Sequence, residues 1–166
     1  MRRFTTTLLA SFTIATALCV ASAATAQSTA APATAVATSP VNIDANGVAL
    51  HGYDPVAYFT MGAPTAGRAE FTAVHAGATY RFVSAAHRAT FLANPETYAP
   101  QYGGFCAMGV AGGAKFDIDP EAWRVENGKL YVNKDRRTQQ VWLRDVPGNI
   151  VKADTKWPTV RTTAKR

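Results

Sequence analysis

The chain has 166 residues, is 48% hydrophobic and carries a formal net charge of +6. One core fits that length and composition, so a single domain and not a multidomain chain is the default, and two cysteines exclude a disulfide-stapled scaffold. The charge is uneven: from Arg124 onward eleven Lys and Arg face four Asp and Glu, so the C-terminal part is the basic one.

Met1-Arg2-Arg3-Phe4 is followed by an apolar run from Leu8 to about Val20 and then by small residues. This order predicts a secretory signal peptide over 1–26, cut near Ala26 after Ala24-Thr25. The run is short for a membrane span and no longer one follows, so no transmembrane anchor is expected. Cys19 leaves with the signal, because Leu18 and the continuing apolar core do not suit a lipidation site. The predicted location is periplasmic or secreted. An exported chain is not expected to meet nucleic acid; a basic C-terminal part there suits an acidic protein or an anionic membrane surface, or is simply a solvated face. Residues 27–41 are rich in Ala, Thr, Ser and Pro, lack charge and read as a flexible leader.

The folded domain is expected over 42–160, with 161–166 as a basic tail. Ile43 to Leu50 alternates as a short strand around the Asn46-Gly47 turn. Asp54 caps a short helix with Pro55 at its first position and Val56 to Phe59 as its apolar turn. Phe71 to His75 and Thr79 to Val83 form a hairpin around Ala76-Gly77, with Tyr80 and Phe82 on the core side and His75 near the surface. Ser84 caps a helix from Ala85 to Asn94, closed by Pro95, in which His87 and Phe91 share a face.

The glycine-rich stretch from Tyr102 to Gly113 packs backbone closely and, if helical, aligns Tyr102, Cys106 and Val110. It lacks the Lys-Ser/Thr of a phosphate loop. Asn127-Gly128 predicts a second hairpin between Trp123–Val125 and Lys129–Val132. Asn133 caps a helix from Lys134 to Arg144 that buries Val141 and Trp142 and is broken by Pro147-Gly148, and a short tail around Trp157 folds back. The predicted fold is α+β: a small single domain of short antiparallel hairpins with three or four short helices.

Three stretches together resemble the YHS domain in its free-standing exported form. They are His51-Gly52-Tyr53-Asp54-Pro55-Val56-Ala57-Tyr58-Phe59, Tyr80-Arg81-Phe82-Val83-Ser84 running on to Phe91 and Pro95, and Tyr102-Gly103-Gly104-Phe105-Cys106-Ala107. With Trp123, Gly128 to Tyr131, Ala153-Asp154 and Trp157-Pro158, the likeness spans Val48 to Pro158. The resemblance implies a small α+β module related to zinc-ribbon-like domains and handling a metal, copper or zinc. Metal-binding relatives place cysteines near Ala57 and Val83 and at His87, so this chain departs from a complete tetrahedral zinc set.

The candidate metal ligands are Cys106, His87 and His51, with Met108 as a thioether that suits copper(I). Each has a structural alternative. Cys106, left without a disulfide partner after processing, is read first as a small buried hydrophobe and last as a redox thiol. His87 fits a core-rim histidine, and His51 a backbone-bonding turn residue. Without metal, the alternative function is a ligand-binding or protein-interaction module with a structural cysteine. No paired carboxylates, nucleophile elbow or HExxH helix point to an enzyme.

Overall fold

A computed structural model describes residues 38–166, so the expected signal peptide and most of the leader lie outside the described residues. The fold is a small α+β domain with two antiparallel two-stranded sheets. The first hairpin pairs β1 (Arg68–His75) with β2 (Ala78–Phe82), and the second pairs β3 (Asp119–Glu126) with β4 (Lys129–Asn133). Six α-helices are described, more than the three or four expected: α1 (Ala57–Thr60), α2 (Ala85–Ala93), α3 (Pro95–Tyr98), α4 (Ala107–Gly112), α5 (Arg136–Leu143) and α6 (Val146–Val160).

The local signals act where they stand. Asp54 Oδ1 accepts the N–H groups of Val56 and Ala57 at 2.8 and 3.3 Å, and Ser84 Oγ accepts that of His87 at 3.2 Å. Asn127 and Gly128 both take the positive φ of the hairpin turn, 50° and 69°. Tyr80 and Phe82 point into the core, as their alternation requires.

Five local expectations are corrected. Tyr102 is not on one helical stripe with Cys106 and Val110, because Tyr102, Gly103 and Gly104 all have positive φ and form a 3-10 turn that ends before α4 begins. Asn133 does not cap α5: Asp135 does, through Thr138 N–H at 2.6 Å, while Asn133 closes β4 with its side chain buried. In α5 Trp142 is buried but Val141 is exposed. Pro147-Gly148 starts a helix and does not merely break one, since Asp145 Oδ1 accepts Gly148 N–H at 3.0 Å and Pro suits the first turn. The expected tail around Trp157 is the last part of that helix.

Two apolar clusters make the core, with β4 between them. Leu130 and Val132 join Val56, Tyr58, Tyr80, Phe82, Phe91 and Cys106, whereas Tyr131 joins Tyr102, Phe105, Val110, Trp142 and Val160. A strand buried on both faces explains why Leu130-Tyr131-Val132 is an unbroken apolar run. The entry and exit of the described chain meet at Lys115. Its buried ammonium donates to Ser39 O at 2.9 Å and Arg161 O at 3.3 Å, lies 4.8 Å from the Phe105 ring centre, and is pushed to a lower pKa by burial. Val41 is buried, and Lys165 and Arg166 return to the body through a bridge to Lys115. No described helix is long and apolar enough to cross a membrane.

Candidate functional site

Cys106 stands immediately before α4 and is 1% exposed. Its sulfur accepts Gly109 N–H at 3.3 Å, so the thiol occupies the capping position that a Ser or Asp oxygen usually takes. The S–H points to Asn133 Oδ1 at 3.9 Å, and the same oxygen accepts Met108 N–H at 3.2 Å. Burial raises the Cys106 pKa, against the opposing effect of nearby N–H groups from Gly109, Lys134 and Met108. The protonated thiol is therefore the favoured form, the opposite of what an activated nucleophile needs. A cavity of about 330 Å³ touches Cys106 and is also lined by Met108, Phe116, Lys134, Thr138 and Arg166.

His87 lies in the first turn of α2 and faces Asp54. Its Nδ1 donates to Asp54 Oδ2 at 2.7 Å, and the Asp54 side chain is wholly buried. Asp54 also accepts Val83 N–H at 2.9 Å, so one carboxylate joins the start of α1, the end of β2 and the imidazole on α2. His87 Nε2 is 3.4 Å from Thr60 Oγ1, whose own proton goes to Val56 O at 3.0 Å.

His51 sits in a 3-10 turn with φ 52° and donates from Nε2 to Asp117 Oδ1 at 2.9 Å. Asp117 further accepts Asn42 Nδ2 and Ile118 N–H, each at 2.9 Å, and lies 3.6 Å from Lys165 Nζ. The hydrogen bond to Asp117 raises the His51 pKa above the ordinary 6.5, and the bonds from His51 and Asn42 hold Asp117 well below the usual carboxylate range. The stability from a raised imidazole is complete below its unfolded value and is lost as pH rises through its folded value. That from a lowered carboxylate is present above its unfolded value and is lost as pH falls through its folded value. His51→Gln is therefore expected to cost about 0.5 kcal/mol near pH 5.5 and close to nothing near pH 8.5, a small effect because the pair is about half exposed. Urea unfolding midpoints at the two pH values check this; an equal cost at both would assign the effect to packing and not to charge.

The three candidate ligands thus hold three separate sets of partners. Among the described residues no group of three or more His, Cys, Asp or Glu side chains is placed to hold a metal ion, so the structure does not bring Cys106, His87 and His51 together. His75 is more enclosed than its place beside a turn suggests: it contacts Glu96 Oε1 at 3.2 Å and packs edge-on against Phe91. A second cavity of about 330 Å³ lies beside it, with Tyr80, Tyr102, Trp157 and Arg161 among its walls. Sequence reasoning passed over this cleft because its walls come from β1–β2, the 101–104 turn and α6. It read Asp54 only as a cap, although a buried Asp with a His on the next helix face was the available signal.

Compared with protein families, with curated proteins and with solved structures, the chain matches none.

Proposed function

We propose that the chain is an exported module of the YHS type that works by binding a small ligand or a partner without a resident metal, with Cys106 as a structural residue. One observation carries this: each candidate ligand is already committed, Cys106 to the α4 cap and Asn133, His87 to Asp54, and His51 to Asp117. Tetrahedral zinc needs four donors around one point, and these three side chains supply none in common. Export rests on the N-terminal charge and apolar run, and for a macromolecular partner the basic C-terminal part favours an acidic surface, of protein or of lipid.

Titration of the purified mature protein with zinc and with copper(I), each in competition with a chromophoric chelator, tests this. Wild type and Cys106→Ala are expected to behave alike, with no stoichiometric complex, and the native thiol is expected to react with an aromatic disulfide reagent far more slowly than in denaturant. A one-to-one complex that Cys106→Ala abolishes would overturn the proposal in favour of a second reading. That reading is copper(I) held by the Cys106 sulfur with Met108, favoured by the single fact that both residues line one cavity.

A further inference from the structure

We propose that Thr60, His87 and Asp54 form an acyl-transfer site at the surface, acting on short-chain carboxylic esters with a good leaving group. The activity goes beyond ligand binding and uses neither the cysteine nor the two cavities. The three side chains stand in line: Asp54 Oδ2 is 2.7 Å from His87 Nδ1, and His87 Nε2 is 3.4 Å from Thr60 Oγ1. A nucleophile, a base and a carboxylate that orients the base are recognised by such geometry and not by their order in the chain. Exposure runs the right way for these roles. Asp54 is wholly buried, the His87 side chain is 19% exposed and Thr60 is exposed.

The backbone N–H groups of Val56, Ala57 and Val83 fix the Asp54 carboxylate, which in turn holds the imidazole. A carboxylate has only acceptor sites, so the adjoining ring proton stays on Nδ1 and Nε2 is the atom left to take one. At rest the Thr60 hydroxyl donates to Val56 O at 3.0 Å, and rotation about its Cβ–Oγ bond turns that hydrogen to Nε2. A separation of 3.4 Å is long for a resting hydrogen bond, as is usual between catalytic groups before substrate arrives. The chain after Thr60 adds polar donors. Met61 is right-handed (φ −106°, ψ −13°) and Gly62 left-handed (φ 63°), a succession that turns consecutive N–H groups to one side and suits developing negative charge. The N–H groups of Gly62 and Ala63 have no acceptor among the described residues.

In the first step Thr60 Oγ bonds to the acyl carbon and its proton passes to His87 Nε2. The bond from that carbon to the leaving oxygen breaks, and the leaving oxygen takes the proton from Nε2. Water then bonds to the acyl carbon, gives a proton to Nε2, and Thr60 Oγ recovers it as the carboxylic acid departs. The methyl group beside Oγ crowds the attacking atom, which is why a short acyl group is specified.

The full mature chain with p-nitrophenyl acetate tests this, with p-nitrophenolate release read by absorbance and the acetyl group located by mass spectrometry after acid quenching. Wild type is expected to carry acetyl on Thr60 and to react at least about 100-fold faster than N-acetylthreonine amide in solution. Thr60→Val, isosteric and at an exposed position, is expected to abolish the release with an unchanged melting temperature, and Thr60→Ser to keep it. His87→Gln is expected to slow it at least about 100-fold. Asp54→Asn, which keeps an oxygen for the α1 cap, is expected to lower kcat per folded chain about tenfold or more and to leave KM unchanged. No release above the reference, acetyl on a lysine or on His87 in place of Thr60, or release that survives Thr60→Val would each overturn it. Thr60→Val decides alone if His87→Gln or Asp54→Asn fails to fold. The outcome is independent of the metal titration, because Cys106 takes no part in it.

Discussion

Asp54→Ala is expected to lower the unfolding free energy by about 3–5 kcal/mol. The side chain is wholly buried and accepts from three backbone N–H groups, those of Val56, Ala57 and Val83, as well as from His87. Alanine fills neither the volume nor the acceptor role, and each orphaned buried N–H costs roughly 1–3 kcal/mol. Because the three amides belong to α1 and to the end of β2, the loss unfastens both from α2. His87→Gln is expected to cost only about 1–2 kcal/mol, since the carboxylate keeps its three backbone donors. Chemical denaturation of the two variants checks the order. Equal losses would mean that the imidazole contact, and not the backbone cradle, is what Asp54 contributes.

Gly103→Ala is expected to cost about 2–4 kcal/mol and to free the segment around Pro40. Gly103 has φ 60°, and a Cβ there would clash with the Pro40 carbonyl oxygen, so the backbone at 40–41 has to move. The same segment is tied down by Asn42 N–H donating to Gly103 O at 2.8 Å and by Asn42 Nδ2 donating to Gly104 O at 3.2 Å. Hydrogen exchange at the Asn42 amide is expected to accelerate accordingly. Gly128→Ala is the control: φ is 69°, yet nothing lies within 4 Å, so only the left-handed conformation is penalised, about 1 kcal/mol. Similar losses at the two sites would show that backbone conformation, and not the close approach of Pro40, makes Gly103 necessary.

Much of the secondary structure was legible because its signals act over a few residues. Asn127-Gly128 closes a hairpin by its own φ preferences, and Ser84 caps α2 through an N–H three residues on. Where two local signals compete, the sequence is ambiguous. Asn133 and Asp135 are both good caps, and the outcome turned on Asn133 being needed in the core to accept Met108 N–H. The glycine-rich stretch was ambiguous for a related reason. Its glycines permit a helix but also permit the left-handed turn at 102–104, which carries Tyr102 into a different apolar cluster from Cys106. Val141 and Trp142 are adjacent and both apolar, so burying one on a helix that packs on one side exposes the other.

The candidate site divides in the same way. By itself the sequence determined the class of fold, the two hairpins, the cap at Asp54 and the single cysteine of the domain, because composition, periodicity and capping are properties of contiguous residues. Only the tertiary structure decided what the chemically interesting side chains touch. His87 finds Asp54 33 residues away, His51 finds Asp117 66 away, and Cys106 finds Asn133 27 away. Such pairings depend on how helices and hairpins dock, which no local propensity encodes. For that reason residue types that suit one metal centre are here distributed over three separate hydrogen-bonded sets.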